Sequence, residues 1–303
     1  MTSATQALPS LTIVVPSVNG LHDLVPCCQA LELVRQRTPI DVLVVNRLGA
    51  SVTQYVRTTH PWMTVHDVPL STTIPEMRHL AFGMVQTPAV AVIEDHVIVP
   101  PAWPERALAV LAEGFDVAGG PIENAAMNGV LDWATFLCEY HACLPPLPEG
   151  DATWLPGNNV VYRRTLLERY RSVTAQGAWE NRLHDALRAD GVRLERRAAL
   201  TVGHKKHFGF FEYLSQRYLY SRSYAAARVA GAPLAKRLMT GAAACALPAV
   251  LLLRITNALL SKGVPRGRVL ATLPLIALFT VSWAAGEVVG YIAGGGDALA
   301  RVR

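Results

Sequence analysis

The sequence predicts an α/β fold, a doubly wound and mostly parallel sheet, with a C-terminal interfacial helix and a transmembrane or re-entrant helical hairpin. Short apolar runs rich in β-branched residues alternate with stretches at helical spacing, the rhythm of repeated strand–helix–strand units. The best run, Val90-Ala91-Val92-Ile93, stops on Glu94-Asp95-His96. Ligand-type side chains at the carboxyl end of a parallel strand sit where open α/β sheets bind substrates. Near the other end of the chain, residues 238–260 and 269–293 are each long enough for a bilayer crossing of roughly 20 residues.

Residues 11–15 read as the first strand, ending at Pro16-Ser17-Val18-Asn19-Gly20. A helix follows, capped near Asp23 with Pro26 in its first turn, and runs to about Arg35. Leu24, Cys27, Cys28, Leu31 and Val34 recur along it at helical spacing. Residues 41–45 form a second strand that ends at Asn46-Arg47, Ser51 caps a short helix that Pro61 ends, and residues 63–68 form a third strand. Thr72 or Thr73 opens a helix with Pro75 in its first turn, reaching about Gln86 before the strand into Glu94. Beyond it, residues 103–114 read as a helix, 116–120 as a strand and 132–143 as an amphipathic helix closed by Leu144-Pro145-Pro146-Leu147-Pro148. Residues 160–162 make a short strand, Trp179-Glu180 opens a helix that stops near Gly191, and residues 193–202 return to strand, with His204 just beyond. No Gly-x-Gly-x-x-Gly follows the first strand, which argues against a dinucleotide site.

Charged residues are only 17% of the chain and the formal charge is +5. The basic residues gather between Lys205 and Arg237 and around both apolar segments. That distribution suits anionic lipid headgroups better than nucleic acid. The five cysteines are odd in number and show no C-x-x-C spacing, so reduced, cytosolic usage is expected, not a disulfide framework or a zinc site. Residues 1–10 lack a basic region followed by an apolar core, so no secretory leader is read there and the catalytic part is expected on the cytoplasmic side of an inner or plasma membrane.

Pro248 and Arg254 interrupt the first apolar segment, Pro274 and Glu287 the second, and the turn between them carries Lys262, Arg266 and Arg268. The basic run from Lys205 to Arg237 outweighs that turn, so a hairpin with both ends cytoplasmic is the first expectation. A re-entrant pair confined to the cytoplasmic leaflet is the second. Phe208-Gly209-Phe210-Phe211, Tyr213 and Tyr218 interleave with Lys205, Arg217 and Arg222, a blend suited to a helix in the membrane interface. The expected domains are residues 1–204 for catalysis, 205–237 for the interface and 238–303 for the anchor.

Taken in order, Ile13-Val14-Val15-Pro16, Val44-Val45, Arg78-His79, Glu94-Asp95-His96, Gly157-Asn158-Asn159 and Trp179-Glu180 resemble the family-2 glycosyltransferases of the GT-A fold. The match covers roughly residues 10–205. The resemblance implies a nucleotide-sugar across the carboxyl edge of the sheet, with Pro16, Asn19, Asn46, Arg78, Glu94 and Asp95 on the donor. It also implies an Asp-x-Asp type motif holding a divalent metal against the diphosphate, since departure of a nucleoside diphosphate puts negative charge on phosphate oxygens. Glu94-x-His96 departs from Asp-x-Asp and is similar to the Asp-x-His of polypeptide N-acetylgalactosaminyltransferases, where a later histidine completes the site. His204 stands in that later place, so Glu94, His96 and His204 are the expected ligands. With imidazoles among them, Mn²⁺ is favoured over Mg²⁺. Asp95 points either at the ribose or back into the fold.

Where the family commonly has an acid that reads the base, this chain has Asn46, whose amide both donates and accepts. Glu180 matches the position of the general base that takes the acceptor's proton during inversion, and the acid that usually follows it is Asn181 here. Gly157, Asn158, Asn159 and Trp179 match the loop that faces sugar and acceptor. The expected partners are a nucleotide-sugar and a lipid-linked acceptor (polyprenyl phosphate, lipid-linked saccharide or glycolipid), with a homo-oligomer left open and nucleic acid excluded. Two other readings stand beside this one. A sugar nucleotidyltransferase has a related fold, but residues 16–20 lack the Gly-rich and basic character that cradles a triphosphate. A degenerate membrane scaffold would account for Asn46 and Asn181 but not for the retained Glu94, Asp95 and Glu180.

Overall fold

The computed structural model describes residues 10–303; nearly all of the stretch read for a leader lies outside the described residues. Contacts divide the chain into two units, one holding the residues up to Glu123 and Pro146–Gly203, the other Asn124–Pro145 and His204–Arg303.

The first unit opens with β1 (Leu11–Ser17), buried along its whole length, as expected of a strand covered on both faces. α1 (Leu21–Arg37) starts after Gly20, whose φ of 102° is a conformation open mainly to glycine. The chain therefore turns into the helix one residue past a glycine hinge instead of on an Asp23 cap, and Pro26 falls beyond the first turn. The same device precedes α2 (Ala50–Thr59), where Gly49 at φ 87° replaces the expected Ser51 cap. β2 (Asp41–Asn46) and β3 (Thr64–Asp67) lie on either side of α2 in the chain. α3 (Ile74–Met84) is capped as its sequence predicts, Thr73 and Glu76 closing a reciprocal capping box ahead of Pro75.

β4 (Ala89–Ile93) is wholly buried and leads through Glu94-Asp95-His96 into β5 (Val97–Ile98). Then come α4 (Trp103–Ala112), β6 (Val117–Gly119) and β7 (Ile122–Asn124), after which α5 (Val130–Tyr140) belongs to the second unit. The first unit resumes with β8 (Gly150–Asp151), β9 (Asn159–Arg163), α6 (Arg164–Arg169), α7 (Arg171–Thr174) and α8 (Glu180–Ala189). The single strand expected over residues 193–202 is broken into β10 (Leu194–Arg196), a 3-10 turn (Ala198–Leu200) and β11 (Val202–His204). The break has a topological reason, because its two parts join different sheets.

The large sheet runs β3-β2-β1-β4-β9-β6-β10-β8, parallel from β3 to β4 and antiparallel on both sides of β9. A small sheet, β5-β11-β7, takes up the strand that follows the acidic turn. The boundary between the units falls one residue from the ends of β7 and β11, so Asn124 and His204 complete strands whose other residues belong to the first unit.

In the second unit, α5 accompanies α9 (Phe210–Arg228), α10 (Leu234–Ala244), α11 (Leu247–Ser261), α12 (Arg266–Ala293) and α13 (Ala298–Arg301). The first apolar segment, read as one span, is two helices bent by 54°. Pro248 sits in the first turn of α11, where its missing N–H costs nothing, and so starts a new helix. α12 carries Pro274 without breaking and, among the described residues, is the one helix long and apolar enough by itself to cross a membrane.

α9 and α12 run side by side through glycines. A Cβ on Gly286 would stand 2.3 Å from the Tyr218 carbonyl oxygen, and one on Gly290 would stand 2.4 Å from that of Arg222. Ser282 Oγ donates to the Leu214 carbonyl at 2.7 Å, and the buried Glu287 accepts from Arg228 at 3.1 Å. Gly290→Ala should therefore force backbone apart and lower stability by about 1–3 kcal/mol, the usual cost of overpacking. Gly267→Ala meets nothing within 4 Å and should raise stability by the better helix propensity of alanine. Thermal unfolding of the full-length protein in detergent compares the two; equal midpoints would remove the packing argument.

Candidate active site

The turn after β4 is organised by Asp95, which is wholly buried. Its carboxylate accepts from the backbone N–H of Val18 at 2.8 Å, from that of Asn19 at 2.9 Å and from Asn19 Nδ2 at 2.8 Å. Of the two directions open to it, Asp95 thus takes the inward one and ties the loop after β1 to the end of β4. His96 Nδ1 lies 3.1 Å from Asp95 Oδ1, and its Nε2 lies 3.3 Å from Glu94 Oε2. Burial opposes charge on both residues and is outweighed. The hydrogen bonds and charge of His96, with the Asn19 donors, hold Asp95 below its usual value. Asp95 and Glu94 push His96 up to about 10.

His204 ends β11, and its backbone carbonyl accepts from Ala125 N at 2.9 Å. One ligand atom from each of Glu94, His96 and His204 lies within 4.8 Å of the others. A carboxylate and two imidazoles converging from separate strand ends form a donor set that fits a divalent cation. The carboxylates of Glu94 and Asp95 around His96 are the negative charge that a cation would meet there.

Glu180 is the first residue of α8, and Trp179 before it is buried. Its Oε2 accepts from Arg78 Nη1 at 2.8 Å, while Arg78 Nη2 stands 3.9 Å from Glu94 Oε1. One buried guanidinium thus faces both acids. The loop before β9 runs between them: Asn158 Nδ2 donates to Glu94 Oε2 at 2.9 Å, and a Cβ at Gly157 would come 2.4 Å from the Glu180 carboxyl carbon. Any larger residue there would have to displace the Glu180 carboxylate. Pro75, Arg78, Gly157, Tyr162, Trp179 and Glu180 line one cleft.

Other residues singled out in the sequence point elsewhere. Asn159 faces the interior, accepting from Trp103 Nε1 at 3.2 Å and donating to the carbonyls of Pro121 and Leu200 at 3.0 and 2.8 Å. Asn46 Nδ2 donates to the Gly49 carbonyl at 2.9 Å and to Asp67 Oδ1 at 2.8 Å, and its Oδ1 accepts from Leu48 N at 2.9 Å. Its amide therefore shapes the loop after β2. Pro16 lies within β1, opposite Val45. Asn181 is exposed.

Sequence reasoning passed over two residues here. Asp67, at the end of β3, shares the carboxyl edge with Asn46 and carried no motif. His184 lies one turn after Glu180, buried, with Nε2 2.8 Å from the Tyr162 hydroxyl. Its i+4 spacing from Glu180 was the available signal. Burial pushes His184 down to about 4 and raises the Tyr162 phenol well above its ordinary value.

If the triad is a metal centre, Mn²⁺ titrated into the full-length protein and followed by loss of the free-ion EPR signal will bind. His96→Ala and His204→Ala should each weaken it by at least the roughly 10–100-fold that losing an outer partner of a ligand costs. Unchanged titrations would remove the assignment. His184 predicts an acid-side loss of stability. The unfolded imidazole takes a proton near pH 6.5, and the folded one refuses it until about 4. Stability from this residue is therefore full above 6.5 and falls by an order of 3 kcal/mol as the pH drops through that window. His184→Gln, which keeps a partner for Tyr162, should flatten the pH dependence of the unfolding midpoint between 6.5 and 4. Parallel curves for the two proteins would refute the prediction.

No protein-family model matches this chain, and no curated protein matches it. Its fold is similar to that of Staphylococcus aureus TarS, residues 1–349, at 14% identity and TM-score 0.50, over 92% of this chain and 90% of that one. It is also similar to the mannosyltransferase PcManGT from Pyrobaculum calidifontis, solved in complex with GDP-Man and Mn²⁺, at 17% identity and TM-score 0.50, over 90% and 86%. These likenesses are of fold alone, a mixed α/β architecture with a central, mostly parallel sheet shared with two glycosyltransferases; the apolar helices at the C-terminal end are read from this chain itself.

Proposed function

We propose that this protein is an inverting family-2 glycosyltransferase that moves a sugar from a nucleoside-diphosphate donor to a lipid-borne acceptor at the cytoplasmic face of a membrane. The observation that carries the reading is the cluster of Glu94, His96 and His204 at a strand's carboxyl end, joined to Glu180 through Arg78. The donor and Mn²⁺ bound by PcManGT, a protein of similar fold, support the same class of ligand here.

Glu94, His96 and His204 would hold the ion, and two imidazoles favour Mn²⁺ over Mg²⁺. Bound there, the ion supplies the positive charge that a departing diphosphate needs. Arg78 adds a fixed positive charge between the two acids. It bonds one oxygen of Glu180 and leaves Oε1 to accept the proton of an acceptor hydroxyl. Gly157 and Asn158 keep Glu180 and Glu94 at their places on either side of the loop. A nucleotidyltransferase is disfavoured because the N–H groups of Val18 and Asn19, which would have to meet a triphosphate, already donate to Asp95. The long apolar helix and the basic residues around it support a lipid acceptor, since an enzyme held at a membrane meets such an acceptor within the same thin layer.

Calorimetry with UDP and GDP, with and without Mn²⁺, should show metal-dependent binding of one of them, and radiolabelled nucleotide-sugars incubated with membrane lipid extracts identify the transfer. Glu180→Gln keeps shape and hydrogen bonding but cannot take a proton. Nucleotide affinity should survive it, while transfer falls roughly 10²–10⁴-fold. A variant that lost nucleotide binding and kept a normal maximal rate would overturn the assignment of the base.

A further inference from the structure

Resting on the membrane reading above, we propose that the second unit is a monotopic anchor. In this arrangement α10, α11 and the first half of α12 lie in one leaflet of an anionic bilayer, and the α11–α12 turn comes back to the aqueous side from which α10 enters.

Charge identifies the partner. From Tyr213 to Gly286 the chain has no acid at all, while Arg217, Arg222, Arg228, Lys236, Arg237, Arg254, Lys262, Arg266 and Arg268 fall within that stretch. Arg217 is buried against Glu139 and Arg228 pairs with Glu287. Lys236, Arg254, Arg266 and Arg268, however, are exposed, and beside apolar helices they complement anionic headgroups, each nearby Lys or Arg adding about 1 kcal/mol of attraction. The apolar side chains that a leaflet would cover are on the same elements. Met239 on α10, Val250 and Leu253 on α11, and Leu270 and Leu278 on α12 are between 51% and 73% exposed.

Neither helix of the first pair is long enough to cross alone. α10 has 11 residues and α11 has 15, about 16 and 22 Å at 1.5 Å per residue, and a hydrocarbon core is about 30 Å thick. The 54° bend between them breaks the path, so the side on which the pair ends is set by what holds the turn after it.

The turn that follows is tied down. Lys262 Nζ donates to the carbonyls of His141, Ala142 and Leu144 at 2.8, 3.2 and 2.6 Å, and the Arg268 guanidinium stands 3.8 Å over the Trp133 ring. These partners are on α5 and the few residues after it. α5 is joined to β7 by residues 125–129 alone, about 17 Å even when fully extended and too short a tether to cross a hydrocarbon core of about 30 Å. The turn held against α5 is therefore aqueous.

α12 leaves the lipid in its second half for the same reason. From Leu214 to Arg222 its neighbour α9 lies against Ser282, Gly286 and Gly290. That neighbour carries Arg217, which donates to Glu139 at 2.9 Å, and Arg228, which donates to Glu287. A bilayer around this stretch would bury several guanidinium groups, at a cost that keeps such residues rare in membrane helices.

The test is side-specific labelling of the full-length protein in bacterial membranes. In a Cys245→Ser background, which removes the one exposed cysteine, Ser261→Cys marks the turn and Gln36→Cys on α1 marks the first unit. A membrane-impermeant maleimide should label both in inverted membrane vesicles and neither in spheroplasts. Labelling of Ser261→Cys from the spheroplast side, with Gln36→Cys still protected, would mean that the hairpin crosses and would overturn the proposal. Flotation of the purified protein with phosphatidylcholine vesicles, with and without phosphatidylglycerol, separates this failure from that of the reading beneath it. Binding should be roughly tenfold or more stronger with the anionic lipid. Equal binding to both compositions would defeat the anionic part, and flotation with neither would defeat the membrane reading as a whole.

Discussion

Asp95 is wholly buried, and a buried carboxylate persists only where donors surround it. Three donors come from the loop after β1, and the imidazole of His96 stands beside its Oδ1. Removing one partner from such a charge typically costs about 3–5 kcal/mol, a large share of the roughly 5–15 kcal/mol that keeps a domain folded. The requirement to match this one charge therefore fixes several things together. It sets the path of the chain between β1 and α1, the orientation of the His96 ring, and through that ring the approach to Glu94. The triad with His204 is built outward from a residue that itself faces inward.

Much of the architecture was readable because the strands obey one rule. β1, β2 and β4 are apolar runs that end in polar residues at the carboxyl edge, and the helices between them carry clear spacing. What escaped the sequence was set by partners distant in the chain. A two-residue strand such as β5 has no periodicity to read and exists because β11 lies beside it. The glycine entries to α1 and α2 were missed because a cap rule looks for a side-chain acceptor, and these helices use backbone freedom instead. The break in residues 193–202 follows from two sheets competing for one extended segment.

The candidate site was legible to a similar degree. Glu94, His96 and His204 converge as their positions suggested, and Arg78 and Glu180 meet across 102 residues. The amides were harder to read. Asn158 and Asn159 are adjacent and chemically identical, yet one faces Glu94 and the other holds the Pro121 and Leu200 carbonyls. Asn158 is still in the turn and Asn159 is the first residue of β9, paired with Ile93, and nothing local says where the turn ends until the strand is paired. His184 was invisible for a different cause: its significance lies in the Tyr162 hydroxyl, which a neighbouring element supplies.

Gly157 has a consequence for how sequences of this kind are interpreted. The position contributes no functional group, yet the Glu180 carboxylate occupies the volume where any other side chain would begin. What the position supplies is a clearance and not a chemistry. In a saturation mutagenesis screen, every substitution at residue 157 would act through the displacement it forces on the Glu180 side chain. The contact also makes the tolerance reciprocal: shortening the acid at 180 opens room at 157. A paired change at the two positions would then be read as covariation, and its cause would be nothing more than shared space.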